Sequence, residues 1–278
     1  MRKPITPCIW YDGNAKDSAN FYCSLFKNSK IIIETPMVII LELNGNKIMH
    51  LNGGPKFKIN PSISFFVTSP SIQESNELWE KLIEGGKALM PIDKYDWSER
   101  YGWLQDKYGM TWQISLADNK NEKQKITSSL LFANDQFGKA EQAINFYSSI
   151  FKESSIDLLI KYPLESPNGG KVMYSEFRLN NNNFIAIDGP GVHDFTFNEG
   201  VSFMVSCSTQ EEIDYYWHKL TEGGQESMCG WLKDQFGVSW QIVPEIIGKL
   251  MSDPSKAGRV MNAVLQMKKL DIEKMITA

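Results

Sequence analysis

Two stretches of this chain are nearly the same sentence. Gly102-Trp-Leu-Gln-Asp-Lys-Tyr-Gly-Met-Thr-Trp-Gln-Ile114 returns 128 positions later as Gly230-Trp-Leu-Lys-Asp-Gln-Phe-Gly-Val-Ser-Trp-Gln-Ile242. Two earlier blocks return in the same order: Phe21–Lys27 as Phe146–Lys152, and Leu78–Gly86 as Tyr216–Gly224. Three blocks in one order mean a duplicated domain, so whatever the first copy folds into the second must also build. The 278 residues then divide into a first domain at 1–117, a linker at 118–125, a second domain at 126–244 and a C-terminal helical extension at 245–278. The linker is polar and carries no apolar period. In the extension, Asp253-Pro254 opens a helix whose stripe (Ala257, Val260, Met261, Val264, Leu265) needs something to dock against.

Each domain has the length to bury its own core. Net charge is −4 with both signs interspersed, so no basic run points to nucleic acid and no acidic tail to a basic partner. The longest apolar stretches, such as Met37–Leu41, are strand-sized, and the first residues, Met1–Pro7, hold no apolar signal core. Cys8, Cys23, Cys207 and Cys229 show no paired or zinc-like spacing. They read as reduced thiols of a cytoplasmic protein.

Each half reads as strand, helix, several strands, and then that order again. Thr6–Tyr11 is a strand, and Ala15, Ala19, Tyr22, Leu25 and Phe26 form a helical stripe. Strands follow around Ile31–Glu34, Met37–Leu43 and Lys47–Leu51, with Asn44-Gly45 marking a hairpin turn. The next unit begins at Ser62–Val67. Its helix opens on the capping box Ser71-Ile-Gln-Glu74 and closes at Gly85-Gly86, a device repeated in Thr209–Glu212 and Gly223-Gly224. The copies differ most at 87–101, where the first carries a loop with Tyr95, Trp97, Arg100 and Tyr101 that the second lacks. The second has extra length near Asp157–Tyr174 instead.

The pattern of four βαβββ-like units, with Asp-x-x-Gly-x-x-Trp-Gln-Ile closing each half, resembles the vicinal oxygen chelate superfamily of glyoxalases, extradiol dioxygenases and bleomycin-resistance proteins. Gly230–Pro244 and Ala257-Gly-Arg-Val-Met261 are similar to closing segments of its PhnB-like branch, often labelled 3-demethylubiquinone 3-methyltransferase. The resemblance implies an α+β fold of two tandem domains. Each would pair βαβββ units into a curved, cup-like mixed sheet with helices on the convex side. It further implies that the fused copies pack as an intramolecular pseudo-dimer, with further oligomerisation left open.

Strand alternation assigns the two faces. Ile9, Tyr11, Met49, Leu51, Ile63, Phe65, Val67, Trp112 and Ile114 fall on one, suited to packing under helices. Thr6, Cys8, Trp10, Ile48, His50, Ser62, Ser64, Phe66, Thr111 and Gln113 fall on the other, a mixed set that reads as a pocket wall. Superfamily enzymes place metal ligands on four of these strands. The matching positions here are Thr6, His50, Ser62 and Gln113, and in the second copy Thr127, Ala186, Gly200 and Gln241. Only His50 is a good transition-metal ligand, and a catalytic metal normally takes three. No metal and no cofactor is therefore expected.

The candidate site is a first-domain pocket lined by Trp10, His50, Phe66 and Gln113, with Tyr95 or Trp97 at its mouth and Gln241 as the second-domain counterpart. The Gln113 amide either clamps a ligand or bonds across the sheet. Asp106 and Asp234, three residues before a glycine, read as turn-makers. Trp103 and Trp231 read as core, Cys8 as an inert thiol, and His193 and His218 as incidental. No glycine-rich nucleotide turn of the common S-adenosylmethionine fold is present, nor a P-loop, HExxH or GxSxG. Three readings stand: a metal-free protein holding a small aromatic or amphipathic molecule; an enzyme using His50 and Gln113 on a small oxygenated substrate; and a pseudo-dimer with one vestigial cup. The first is preferred, with no catalytic residue assigned.

Overall fold

The computed structural model describes residues 4–118 and 123–278, so half of the expected linker, 119–122, lies outside it. Four units follow in chain order. Unit one is β1 (Thr6–Tyr11), α1 (Ala15–Leu25), β2 (Lys30–Glu34), β3 (Val38–Leu43) and β4 (Asn46–Asn52). Unit two is β5 (Ile63–Ser69), α2 (Ile72–Ile83), β6 (Lys87–Tyr95), β7 (Ser98–Gln105) and β8 (Thr111–Leu116). Unit three is β9 (Lys125–Phe132), α3 (Ala140–Ile150), β10 (Ser155–Lys161), β11 (Val172–Leu179) and β12 (Asn182–Asp188). Unit four is β13 (Val201–Cys207), α4 (Gln210–Thr221), β14 (Gln225–Glu226), β15 (Trp231–Lys233) and β16 (Ser239–Pro244). Three short helices close the chain: α5 (Ile246–Met251), α6 (Ala257–Leu265) and α7 (Ile272–Thr277).

The capping boxes work as their residue types require. Ser71 and Thr209 accept from the N–H groups of Glu74 and Glu212, satisfying one free donor at each helix start. The recurrent Gly-Gly has two different causes. Gly85 and Gly223 take φ of +72° and +71°, which L side chains rarely adopt. At Gly86 and Gly224 a Cβ would lie 2.2 and 2.1 Å from the carbonyl oxygens of Gln105 and Lys233. The segment 87–101, expected as a loop, is instead the hairpin of β6 and β7.

The units pair into two eight-stranded mixed sheets, and each unit's partner comes from the other half of the chain. Sheet I runs β14-β15-β16-β13-β1-β4-β3-β2 and joins units four and one. Sheet II runs β10-β11-β12-β9-β5-β8-β7-β6 and joins units three and two. The seams are antiparallel, β1 against β13 and β5 against β9, while the first and last strands of each unit run parallel. The connecting loops latch reciprocally: Asn60 donates to the Thr196 carbonyl and Asn198 to that of Lys58.

Helix-side residues of both sheets share one hydrophobic core. Its centre is the same construction twice. Asp106 accepts from Tyr22 Oη (2.7 Å) and Trp112 Nε1 (2.8 Å) on one oxygen, and from the Tyr108 and Met110 N–H groups on the other. Asp234 does the same with Tyr147 (2.7 Å), Trp240 (2.8 Å), Phe236 and Val238. Burial pushes both carboxyls up to about 6 against these bonds. The recurring Asp is thus a turn-maker that also satisfies a buried indole and phenol. The C-terminal helices dock through Val260 and Val264, buried with Leu250, Leu270 and Met275.

Candidate functional site

Because the sheets cross the halves, the expected first-domain pocket is divided. Trp10 and His50 belong to sheet I, whereas Phe66, Gln113, Tyr95 and Trp97 belong to sheet II or its hairpin. Each concave face is assembled from both halves of the chain.

His50 is on neither concave face. β4 lies parallel to β1 with Ile9 opposite His50, so the imidazole shares Ile9's helix side. It is fully buried, with Nδ1 2.9 Å from Ser18 Oγ and 3.2 Å from the Ala15 carbonyl oxygen on α1. Burial lowers its pKa to about 3, so it is neutral, and Nε2 has no partner. The alternation along β4 is thus reversed: Ile48 and His50 face the core, and Met49 and Leu51 the concave side. In the other half Ala186 occupies His50's helix-side position on β12, where Leu130 is its β9 partner. The assignments on β1, β5 and β8 hold: Phe65 and Trp112 lie in the core opposite one another, so their neighbours Phe66 and Gln113, also opposite, face away from it.

On sheet I the concave face carries Cys8, Trp10, Met49, Ser202, Met204, Trp231 and Gln241, and most of its polar groups are already spent. Trp10 Nε1 donates to the Gly54 carbonyl, and its ring meets Phe57 and Trp231 edge-on at 4.9 and 5.9 Å. A Cβ on Gly53 would lie 2.2 Å from that indole, so the loop backbone is pressed against the ring. Gln241 donates to Ser202 Oγ (3.0 Å). Burial pushes the Cys8 thiol up to about 12, leaving it protonated and inert.

On sheet II the concave face forms a second hydrophobic cluster, separate from the main core. Phe66, Tyr101 and Ile185 are buried in it, with Met90, Tyr95, Trp103, Tyr174 and Ile187 packed around them. The β6–β7 hairpin brings Tyr95 and Trp97 together, stacked at 4.9 Å, and both meet Tyr101 edge-on at 5.7 Å. Trp97 is 63% exposed at the hairpin tip. Gln113 accepts from Tyr101 Oη (2.7 Å) and donates to Ser64 Oγ (2.7 Å) and Ser129 Oγ (3.4 Å), so it ties three strands together. Its amide bonds across the sheet. Trp103, read from sequence as core, lies opposite Gln113 on this concave face, and its Nε1 is buried without a partner. The same register puts Trp231 opposite Gln241 on the other concave face. Tyr174, which sequence reasoning passed over, meets Phe66 at 6.2 Å. A cavity of about 190 Å³ lies elsewhere, lined by Ile5, Asn46, Lys47, Ile126, Asn182 and Phe184 among others; Ile5, Ile126 and Phe184 belong to the main core, and none of the aromatic cluster's residues lines it.

The sequence profile of the family described as 3-demethylubiquinone-9 3-methyltransferase matches residues 3–115 and again 124–243. The chain belongs to that family. Among solved structures, this PhnB-like chain is similar to a PhnB protein from Bacillus cereus. The two are 32% identical over 41% of this chain and 100% of that one, with a TM-score of 0.40. Glyoxalase I from Zea mays covers 91% of this chain and 97% of its own length at 11% identity, with a TM-score of 0.58, which shows the fold alone. No curated protein matches the chain. Its two repeats are PhnB-like, and the chain has the fold of glyoxalase I.

The metal that this fold implies does not fit the residues present. Thr6 and Gln241 fall on sheet I, Thr127 and Gln113 on sheet II, and His50 and Ala186 face the helices. Hydroxyls and amides hold transition metals weakly. Among the described residues no three His, Cys, Asp or Glu side chains gather closely enough to hold a metal ion, and no helix is long and apolar enough to cross a membrane.

Proposed function

We propose that this PhnB-like protein binds a small planar aromatic or amphipathic molecule on the concave face of sheet II, without a metal. The observation that carries this reading is the separate aromatic cluster around Phe66, Tyr101 and Tyr174. It stands apart from the main core, under a hairpin ending in an exposed Trp97, and contains an unpartnered buried donor on Trp103. A buried N–H without a partner costs free energy that a ligand acceptor would recover. Stacked and edge-on rings favour a planar guest. The His50–Gln113 enzyme reading loses its support, because those side chains lie on different sheets and opposite faces. The concave face of sheet I is the less suited of the two, since Trp10 already spends its donor on Gly54.

The test is a fluorescence titration with 8-anilinonaphthalene-1-sulfonate, a planar probe with a sulfonate acceptor. Binding to the natively folded chain should weaken roughly five-fold in Trp103→Phe, which keeps the apolar area and removes the donor. Undiminished binding in that variant would sink the donor's role. No saturable binding at all would sink the reading.

A further inference from the structure

The two sheets have four edge strands among the described residues, β14 and β2 on sheet I and β6 and β10 on sheet II. A sheet edge offers unpaired backbone groups to any other strand, and chains usually guard it with charge, proline, bulges or a covering segment. Three of the four are guarded. β14 is only two residues long, and the C-terminal segment runs beside it: the Met267 and Lys268 carbonyls accept from Cys229 and Gly230, and Lys268 pairs with Glu226. β6 carries Pro91, Asp93 and Lys94 and shifts register three times against β7. β10 also exposes Ile156, Leu158 and Ile160, but it sets Asp157, held by Arg178, between the first two and breaks register twice against β11.

β2 differs. It reads Lys30-Ile31-Ile32-Ile33-Glu34, with no charge or proline between its ends. Its one guard is a bulge between Ile31 and Ile33, and the bulge leaves Ile32 and Ile33 exposed at 41% and 46% rather than presenting a charge. The sequence is complementary to itself in reverse. An antiparallel pair of β2 strands centred on Ile32 sets Ile31 opposite Ile33, and Lys30 opposite Glu34, at both ends.

We propose that β2 is a self-association edge: two copies of this chain join antiparallel through β2 about a twofold axis at Ile32, making sheet I continuous across the pair. The occupant is a second copy rather than another protein because the charge order matches its own reverse, which an unrelated strand has no reason to do. The twofold pairing also closes, since each copy uses its one β2. A five-residue seam is smaller than a standard interface, so the dimer is weak and concentration-dependent.

Sedimentation of the full chain over a concentration series tests this. Wild type should pass from monomer to dimer and stop there. Lys30→Glu and Glu34→Lys each place two like-charge pairs across the seam and should weaken association roughly tenfold. The double variant Lys30→Glu/Glu34→Lys exchanges the charges on both strands and should restore it, as should mixing the two single variants. Lys30 and Glu34 are both exposed, Glu34 pairing with Lys16 of α1 within the chain, and circular dichroism checks that the variants keep the fold. A chain that stays monomeric at every concentration would overturn the proposal. So would a dimer indifferent to these charges, a double variant as weak as the singles, or growth beyond the dimer.

Discussion

The concave faces of the two sheets descend from the same repeat yet differ in what they leave available. Behind both, a Tyr–Asp–Trp set is built to within 0.1 Å of the same hydrogen-bond lengths. In front, sheet I folds Trp10 onto the Gly53–Gly54 loop and occupies its donor. Sheet II gathers Phe66, Tyr101 and Tyr174 under a hairpin much longer than unit four's β14–β15 pair, and leaves Trp103 Nε1 without a partner. Duplication preserved the support and freed the front to diverge. The difference also shows that residues of one half need not share a site, since unit one completes its sheet with unit four.

The largest expected effects test whether the backs are equivalent. Trp112→Ala and Trp240→Ala should each destabilise the chain by about 3–5 kcal/mol in chemical denaturation. They should do so by similar amounts, because both rings are fully buried and bonded to the same kind of carboxylate. A gap between them of more than about 2 kcal/mol would show that the two supports are not alike.

The next effect is confined to sheet I. His50 has a folded pKa near 3 against an ordinary 6.5. The unfolded chain therefore takes up a proton below pH 6.5 that the folded chain refuses. Stability from this group is present above pH 6.5 and lost as pH falls toward 3, by a few kcal/mol in all. Asp106 and Asp234, raised from 3.8 to about 6, act with the opposite sign: their contribution is present below pH 4 and lost as pH rises through 6. The difference between wild type and His50→Leu isolates the histidine. It should vary with pH between 6.5 and 3, and a flat difference would contradict a buried neutral imidazole.

Trp97→Ala sharpens the contrast at the front. An exposed side chain at a hairpin tip should change stability by no more than about 0.5 kcal/mol. Loss of its ring should still weaken 8-anilinonaphthalene-1-sulfonate binding several-fold, roughly the worth of one aromatic contact. A variant that binds as wild type would remove the hairpin from the site.

Sequence carried the unit order, the caps and the Asp turns, because each rests on local chemistry that the repeat states twice. Faces on β1, β5 and β8 were legible from alternation alone. β4 was not: Asn46–Asn52 holds an almost unbroken run of large side chains, Ile48-Met49-His50-Leu51, whose polarity suggests the wrong face. The second copy held the missing signal, since Ala186 at the matching place is small enough to sit under a helix and His50 is its larger replacement. Which unit pairs with which was illegible for a different reason. All four units offer similar first strands at the seam, so alternation is satisfied by either partner, and only the assembled sheets show that units one and four join.

Crossed pairing decides which residues share a concave face, and one comparison of two variants tests it. Tyr174 lies in the second half of the chain but on sheet II, beside Phe66; Trp10 lies in the first half but on sheet I. Titration of folded Tyr174→Ala and Trp10→Ala with 8-anilinonaphthalene-1-sulfonate separates sheet from half. Tyr174→Ala should weaken binding several-fold, while Trp10→Ala should leave it near wild type. Binding lost in Trp10→Ala and kept in Tyr174→Ala would contradict crossed pairing.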